Sequence, residues 1–238
     1  MRYLIVNADD FGQSPGVNRG IMEAHAHGIV TSASLMVRWP AATEAAAYAR
    51  QHPEFSLGLH VDLAEWACRD GDWFALYKVV RADDAAAIAE ETTRQLAAFR
   101  NLTGHDPTHV DSHQHIHREE PAHTVIAAVA QKLGVPLRHY DPRIQYCGSF
   151  YGQTPKGRPC PETLDVDNLI QIIRELPSGI TELACHPGYA SDLDAMYASE
   201  RAKEVQTLCD PRVRQSLDEE GITLRSFRGI GENPGATS

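Results

Sequence analysis

Two adjacent carboxylates and three separated histidines have the residue types and the placement to bind a metal ion. Asp9 and Asp10 stand where an apolar, strand-like run gives way to a turn. His60, His113 and His186 each follow a later run of the same kind. The C-terminal ends of parallel strands meet on one face of an α/β fold, where such folds place their chemistry. We therefore expect these five side chains to lie close together.

Imidazole nitrogen and carboxylate oxygen both bind divalent cations, and catalytic metal sites commonly use three protein ligands while leaving positions for water and substrate. Asp10, His60 and His113 would form such a set. Adjacent side chains diverge on a strand, so Asp9 remains available as a general base. His186 follows a different strand and could protonate a departing amine. The pattern predicts metal-assisted hydrolysis.

A dense run of histidines leaves one ligand undecided. Residues 109–117 contain four histidines with an aspartate, Asp111, among them. If the segment is extended, His113, His115 and His117 point to the same side, so spacing alone allows His115 as an alternative to His113. His117 is farther from the strand and is expected in a loop or supporting a ligand. Asp111 could orient a ligand imidazole through its other ring nitrogen.

The elements that must position these residues alternate between strands and helices. This alternation predicts parallel strands joined by helical crossovers. Strands are expected near residues 2–7, 30–37, 56–61, 107–112, 136–140, 180–185 and 222–227. Helical patterns end at Gly104, Gly134 and Pro177. The first turn lacks the glycine-rich fingerprint of dinucleotide-binding sheets, which favours a (β/α) barrel over an open sheet.

Two segments, residues 64–82 and 141–164, show no regular pattern and are expected to be loops. Long loops in compact domains are often functional. Both contain aromatic residues that could stack on sugar rings or simply pack the loops onto the barrel; these residues are Trp66, Trp73, Phe74, Tyr146, Phe150 and Tyr151. The sequence leaves these two interpretations open.

Composition limits the class of protein. The 238 residues contain 42% apolar side chains and show no break in composition, so one domain over residues 1–238 is expected. The net charge of −10 argues against nucleic acid and membrane surfaces as partners. We read the protein as cytoplasmic, since no signal peptide or membrane span is evident. The five cysteines are widely spaced and expected to be reduced thiols, and strand alternation turns Cys185 away from the face of His186.

Four motifs in order resemble one known family. They are NADDFG at residues 7–12, GLH at 58–60, THVDSHQHIH at 108–117 and ELACHPG at 182–188. Together they resemble the YdjC-like carbohydrate deacetylases, which include the chitooligosaccharide deacetylases, over essentially the whole chain. The resemblance implies an α/β fold with a distorted (β/α) barrel, and metal-dependent removal of the N-acetyl group from an amino sugar.

The resemblance also implies a role for each site residue. Asp10, His60 and His113 would be the metal ligands, Asp9 the general base and His186 the acid. The family is usually associated with magnesium (Mg2+), whereas two imidazoles with one carboxylate suit zinc (Zn2+) or another transition metal better. The partner would be an N-acetylated sugar, and a homodimer is one option for the assembly.

Two other functions fit parts of the pattern. Asp/His sites on α/β barrels also support metal-dependent phosphoester hydrolysis, with Arg38, Arg138 and Arg143 as phosphate anchors. A non-catalytic carbohydrate-binding module with a structural metal is the third reading. It is disfavoured because Asp9 and His186 are both present.

Overall fold

Parallel strands form the framework of the computed structural model, which describes residues 1–69, 71–154, 156–189, 191–193 and 196–230. The strands of its main sheet are β1 (Arg2–Phe11), β2 (Ser32–Leu35), β3 (Ser56–Val61), β6 (Val110–Ser112), β7 (Ile144–Cys147), β8 (Gly179–Cys185) and β9 (Ile222–Leu224). Within the described residues they form a seven-stranded sheet in the order β6-β3-β2-β1-β8-β7, with β9 beside the start of β1. All of these pairs are parallel. The predicted α/β fold with a distorted barrel of about seven strands is confirmed.

Helices connect the strands and cover the sheet. They are α1 (Pro15–Ala26), α2 (Ala42–Gln51), α3 (Ala85–Thr103), α4 (Ala122–Leu133), α5 (Val166–Arg174), α6 (Ser199–Leu208) and α7 (Pro211–Glu219). The predicted helix ends at Gly104 and Gly134 are present, because both glycines adopt the left-handed backbone conformation that ends a helix. The carboxylate of Asp84 accepts a hydrogen bond from the Ala87 N–H and so caps the start of α3.

Strands β2 and β3 are buried along their whole length, as is usual for parallel strands. In β1 the residues from Leu4 to Phe11 are all buried, the polar ones included. No helix in the described part of the chain is both long enough and apolar enough to cross a membrane.

The prediction that residues 64–82 form a loop is wrong for most of that segment. Strands β4 (Ala64–Arg69) and β5 (Asp72–Lys78) pair there as an antiparallel hairpin separate from the main sheet. A register shift between Glu65 and Trp66 interrupts the alternation. That irregularity, together with aromatic residues on both faces, hid the strands from the sequence pattern.

The prediction of a strand at residues 136–140 is also wrong. Only Leu137 forms a bridge, with Val110, and the chain then turns, with a positive φ of 70° at His139. The strand that pairs with β8 is instead β7, inside the second expected loop. The turn directs Arg138 into the interior of the barrel, where several carboxylates lie.

Candidate metal centre and catalytic cavity

Asp10, His60 and His113 meet at the C-terminal ends of β1, β3 and β6. One ligand atom from each lies within 4.8 Å of the others, and all three residues are buried. The Nδ1 atom of His113 lies 2.9 Å from Oδ1 of Asp10. Nε2 of His60 lies 3.3 Å from the same oxygen. The predicted ligand set is therefore assembled around one carboxylate oxygen.

The backbone of β1 brings two neighbouring carboxylates to the same cavity. Asp10 has a φ of +65°, and the register of β1 with β2 shifts between Ala8 and Phe11. Asp is one of the few residue types that tolerate the left-handed region, and such conformations cluster at functional sites. This irregularity lets Asp9 and Asp10 line one cavity although adjacent strand residues normally point to opposite faces.

The donor atoms of this set fit a divalent cation. Nδ1 of His60 lies 2.7 Å from Asp111, which orients the ring, and a proton held on Nδ1 leaves the lone pair of Nε2 facing Asp10. Two acceptors that face each other need a positive charge between them. Burial would lower the pKa of His60, but Asp111 and Asp10 raise it to about 10. The same negative field that favours an extra proton favours a metal ion.

Asp9 is held by an arginine in a buried ion-pair network. Arg138 donates to both oxygens of Asp9, at 2.6 and 2.7 Å, and also contacts Asp111 and Glu182 at 2.8 and 2.7 Å. Burial would raise the pKa of Asp9, but the guanidinium keeps it below its ordinary value. Asp9, Asp111 and His60 also lie within 4.8 Å of one another, but Arg138 already binds both carboxylates of that group.

A second arginine, Arg201 from α6, binds the other oxygen of Asp10. Its Nη2 atom lies 2.6 Å from Oδ2, so Oδ1 is left to face the two histidines. Sequence reasoning missed Arg201, since it lies in a polar helix with no motif around it. Arg138 was noted only as a phosphate anchor, and no local signal linked it to Asp9.

His186 lies on the cavity wall beside Asp9. Its Nε2 is 3.8 Å from Oδ2 of Asp9, and its buried Nδ1 has no hydrogen-bond partner among the described residues. The backbone N–H of His186 donates to Glu204, which fixes the start of the loop after β8. Burial lowers the pKa of His186 to about 4. The rings of Tyr151 and Tyr197 lie 5.4 and 5.5 Å from the imidazole.

All five predicted site residues line one cavity of about 610 Å³. Five of the aromatic residues that the sequence singled out also line it, namely Trp66, Trp73, Tyr146, Phe150 and Tyr151. Trp73 is 51% exposed and Trp66 is 37% exposed, so hairpin β4–β5 presents open indole surfaces at the cavity. The cavity combines carboxylate and imidazole groups with aromatic side chains, which is typical of sites for small polar ligands.

The histidine run is not extended. Residues His113–Arg118 form a 3₁₀ segment in which Gln114 and His115 have positive φ. His113 consequently faces Asp10, whereas His115 and His117 turn toward His139. The predicted contact of Asp111 with a ligand imidazole is present, and the imidazole is that of His60.

Cys185 and Arg38, which the sequence offered as a possible nucleophile and a possible phosphate anchor, are both engaged in contacts of another kind. Cys185 is fully buried, its thiol donates to the carbonyl of Asn7, and burial raises its pKa well above the ordinary value. Arg38 pairs with Asp62 at 2.7 Å. Cys185 is therefore not placed to act as a thiolate nucleophile, and Arg38 is not free to anchor a phosphate.

Comparisons of the sequence with known proteins identify its family. Residues 3–219 match the family model described as YdjC-like protein. The chain is 33% identical to a carbohydrate deacetylase of Geobacillus stearothermophilus, covering 95% of this chain and 97% of that protein. It is also 33% identical to a chitooligosaccharide deacetylase of Serratia marcescens, over 96% and 99% of the two chains. The chain belongs to the YdjC-like family.

Solved structures share the fold. A protein from Enterococcus faecalis V583, proposed to cleave cellobiose phosphate, superposes with a TM-score of 0.76 at 23% identity, covering 96% of this chain and 98% of that one. A polysaccharide deacetylase from Bacillus cereus gives 0.57 at 10% identity, with coverages of 98% and 96%. At such identities the likeness establishes the distorted barrel and nothing further.

Proposed function

We propose that the protein is a metal-dependent hydrolase that removes the N-acetyl group from an N-acetylated amino sugar or oligosaccharide and releases acetate. One observation carries the proposal: Asp9, Asp10, His60, His113 and His186 line a single cavity in a chain whose full-length relatives are carbohydrate deacetylases. The aromatic walls of that cavity support a sugar as the substrate, because flat rings pack against the apolar faces of sugars.

In this proposal Asp10, His60 and His113 hold one divalent cation. The cation would polarise the acetamide carbonyl and lower the pKa of a water from near 16 to about 7. Arg201 occupies one oxygen of Asp10 and so directs the other oxygen to the metal position. The mixed nitrogen and oxygen donors suit Zn2+ or another transition metal, and the family resemblance points to Mg2+.

Asp9 takes the proton of the attacking water. Its bidentate contact with Arg138 fixes both oxygens and keeps the group ionised, so it is available as a base over the whole neutral range. The low pKa makes Asp9 a weak base, which suffices only if the water is already acidified. Asp9 can therefore act as the base only when a metal ion is bound by Asp10, His60 and His113.

His186 donates a proton to the departing amine. Its ring is neutral in the resting protein because burial lowers its pKa. Negative charge that develops on the attacked carbonyl would raise this pKa and let the imidazole carry the proton from Asp9, 3.8 Å away, to the leaving nitrogen. Glu204 fixes the backbone of His186, so the ring stays on the cavity wall during this transfer.

Acetate release from N-acetylated mono- and oligosaccharides tests the proposal. We expect Asp9→Asn to lower kcat at least about 100-fold, because the amide cannot accept the proton. His113→Ala and chelation of the metal should reduce acetate release to background. Asp83→Asn and His105→Ala, which change the same residue types at exposed positions, should leave the rate unchanged.

Two results would refute this function. One is acetate release by Asp9→Asn or His113→Ala at the parental rate. The other is sugar binding by calorimetry with no turnover in the presence of Mg2+ or Zn2+, which would indicate a carbohydrate-binding module instead.

A further inference from the structure

A second group of histidines lies apart from the candidate metal centre. One ring nitrogen from each of His115, His117 and His139 lies within 4.8 Å of the others. His115 and His117 come from the 3₁₀ segment after β6, and His139 comes from the turn after the Leu137 bridge. The proposed function uses none of these three side chains.

Each of the three rings has a buried nitrogen without a hydrogen-bond partner among the described residues. These atoms are Nδ1 of His115, Nε2 of His117 and Nε2 of His139. An unsatisfied buried polar atom costs about 1–3 kcal/mol. Three neighbouring rings that each carry such an atom indicate that they share a ligand.

Hydroxyl groups hold the opposite nitrogens of two rings. Nδ1 of His117 lies 2.6 Å from Oγ of Ser112, and that oxygen already accepts the backbone N–H of His117. Nε2 of His115 lies 3.2 Å from the hydroxyl of Tyr146. A proton placed on each of these bonded nitrogens leaves the unpartnered nitrogen with a free lone pair. Ring orientation by a neighbour in this way is the usual arrangement around a metal-bound histidine.

The electrostatic surroundings permit a cation. Burial lowers the pKa of His117 to about 3 and that of His139 to about 4, so both rings are neutral at physiological pH. The positive charge of the buried Arg138 is offset by its ion pairs with the carboxylates of Asp9, Asp111 and Glu182. The exposed Arg118 is screened by solvent.

We propose that His115, His117 and His139 form a second metal site, selective for a transition metal such as Zn2+. Three imidazoles are a borderline-soft ligand set that Zn2+ accepts, whereas Mg2+ requires oxygen ligands. His115 also lines the cavity, so the second site would lie beside the space where the sugar is expected. Occupancy of the site would fix the rings of His115 and Tyr146 on the cavity wall.

Zinc stoichiometry tests this second site. Metal-free parent protein is titrated with Zn2+ in a calorimeter, and retained zinc is measured by mass spectrometry after desalting. We expect two equivalents for the parent, one for His139→Asn and one for Asp10→Asn. The assay does not depend on turnover, so it can succeed or fail independently of the deacetylase proposal.

His139→Asn is chosen because it should preserve the fold. The residue has a φ of +70°, and asparagine is among the residues that tolerate this conformation best. Should the variant unfold in a thermal scan, His115→Gln serves as the second variant, with the same expected loss of one equivalent. The second site is overturned if a folded His139→Asn or His115→Gln variant binds as many equivalents of zinc as the parent, or if the parent binds one equivalent and Asp10→Asn loses it.

Discussion

Each of the two adjacent acids has its own arginine. Asp9 pairs with Arg138 and Asp10 pairs with Arg201, both at 2.6 Å. Burial alone would raise the pKa of either carboxyl, and these guanidinium groups are the largest of the influences that keep both pKa values below their ordinary range. In the proposed mechanism these two neighbours have different roles, one in proton transfer and one in holding a cation.

Replacing Arg138 with methionine tests the network at the level of one residue. Arg138→Met removes the charge but keeps much of the aliphatic volume, and it takes the guanidinium away from three buried carboxylates. We expect the free energy of unfolding to fall by about 3–5 kcal/mol in urea titrations. Acetate release should be lost as well, because Asp9 is no longer oriented.

Arg143→Met is the matched control for this change. Arg143 is half exposed and pairs with Asp141 near the surface, so its loss should cost no more than about 1 kcal/mol. Equal stability of the two variants would show that the Arg138 network does not stabilise the fold.

The convergence of the site residues was predictable, but the support around them was not. Asp10, His60 and His113 each follow a parallel strand, and strand ends meet on one face whatever the details of the fold. Arg201 reaches Asp10 from a helix that is 191 positions away, so its role depends on how α6 packs against the barrel. No local pattern encodes such a contact.

At the level of elements, hairpin β4–β5 is fastened next to a proposed metal ligand. Gln114, the neighbour of His113, accepts from the Trp66 N–H at 2.9 Å and donates to the Trp66 carbonyl at 2.8 Å. The hydroxyl of Tyr77 donates to Asp62 at 2.9 Å and attaches the second strand to the barrel. The aromatic wall and the candidate metal centre are therefore held in one arrangement.

Trp73→Ala tests whether this hairpin binds sugar. Loss of an exposed indole that lines the cavity should remove about 1 kcal/mol of stacking, which raises KM roughly fivefold. The value of kcat should not change, because the indole takes no part in the proposed proton transfers. Leu76→Ala removes a comparably exposed apolar side chain from the same strand and should leave both constants as they are. A lower kcat with an unchanged KM would contradict a binding role.

Close packing of α1 fixes the loop that follows His186. A Cβ atom on Gly20 would lie 2.4 Å from the Cα of Gly188. We expect Gly20→Ala to lower the free energy of unfolding by about 1–3 kcal/mol, although alanine favours helices, because two backbones would have to separate. Acetate release should fall too, since Gly188 lies two residues after His186.

The same substitution at Gly104 provides the comparison. A Cβ there meets no atom within 4 Å, and the cost arises only from the φ of +81°. Gly104→Ala should destabilise by about 1–2 kcal/mol and leave acetate release intact. If both variants retain full activity, the α1 contact does not position the loop.

The sequence was least informative where tertiary contacts override local preference. Residues 136–140 have strand-forming composition, yet the chain turns after Leu137 so that Arg138 reaches the buried carboxylates. The ion pairs of Arg138 with the buried carboxylates stabilise the fold more than the few backbone hydrogen bonds of a longer strand would. In contrast, the helix ends at Gly104 and Gly134 depend on one residue's backbone freedom and were predictable.

For the whole molecule, buried neutral histidines make the fold sensitive to acid. His109 is buried between Ser34 and Thr108, stacks on Phe227 at 3.7 Å, and burial lowers its pKa to about 3 from an ordinary 6.5. Between these values the unfolded chain binds a proton that the folded chain does not. Stability is therefore expected to fall as the pH drops below about 6.5, by up to about 1.4 kcal/mol per pH unit for this group.

Urea unfolding between pH 5 and pH 7 measures this effect. The variant His109→Gln cannot take up the proton, so its stability should depend less steeply on pH than that of the parent, whatever its absolute value. The exposed His105→Gln should keep the parental slope. Parallel slopes for the parent and His109→Gln would show that His109 does not contribute.

The order of charges along the chain has a consequence for synthesis. Asp9 is separated from its arginine by 129 positions and Asp10 from its arginine by 191. A growing polypeptide leaves the ribosome with its first strand long before either counterion exists. The carboxylate of Asp10 stays without its arginine until α6 has been made, so one of the last helices of the barrel completes the ion pair at the end of its first strand.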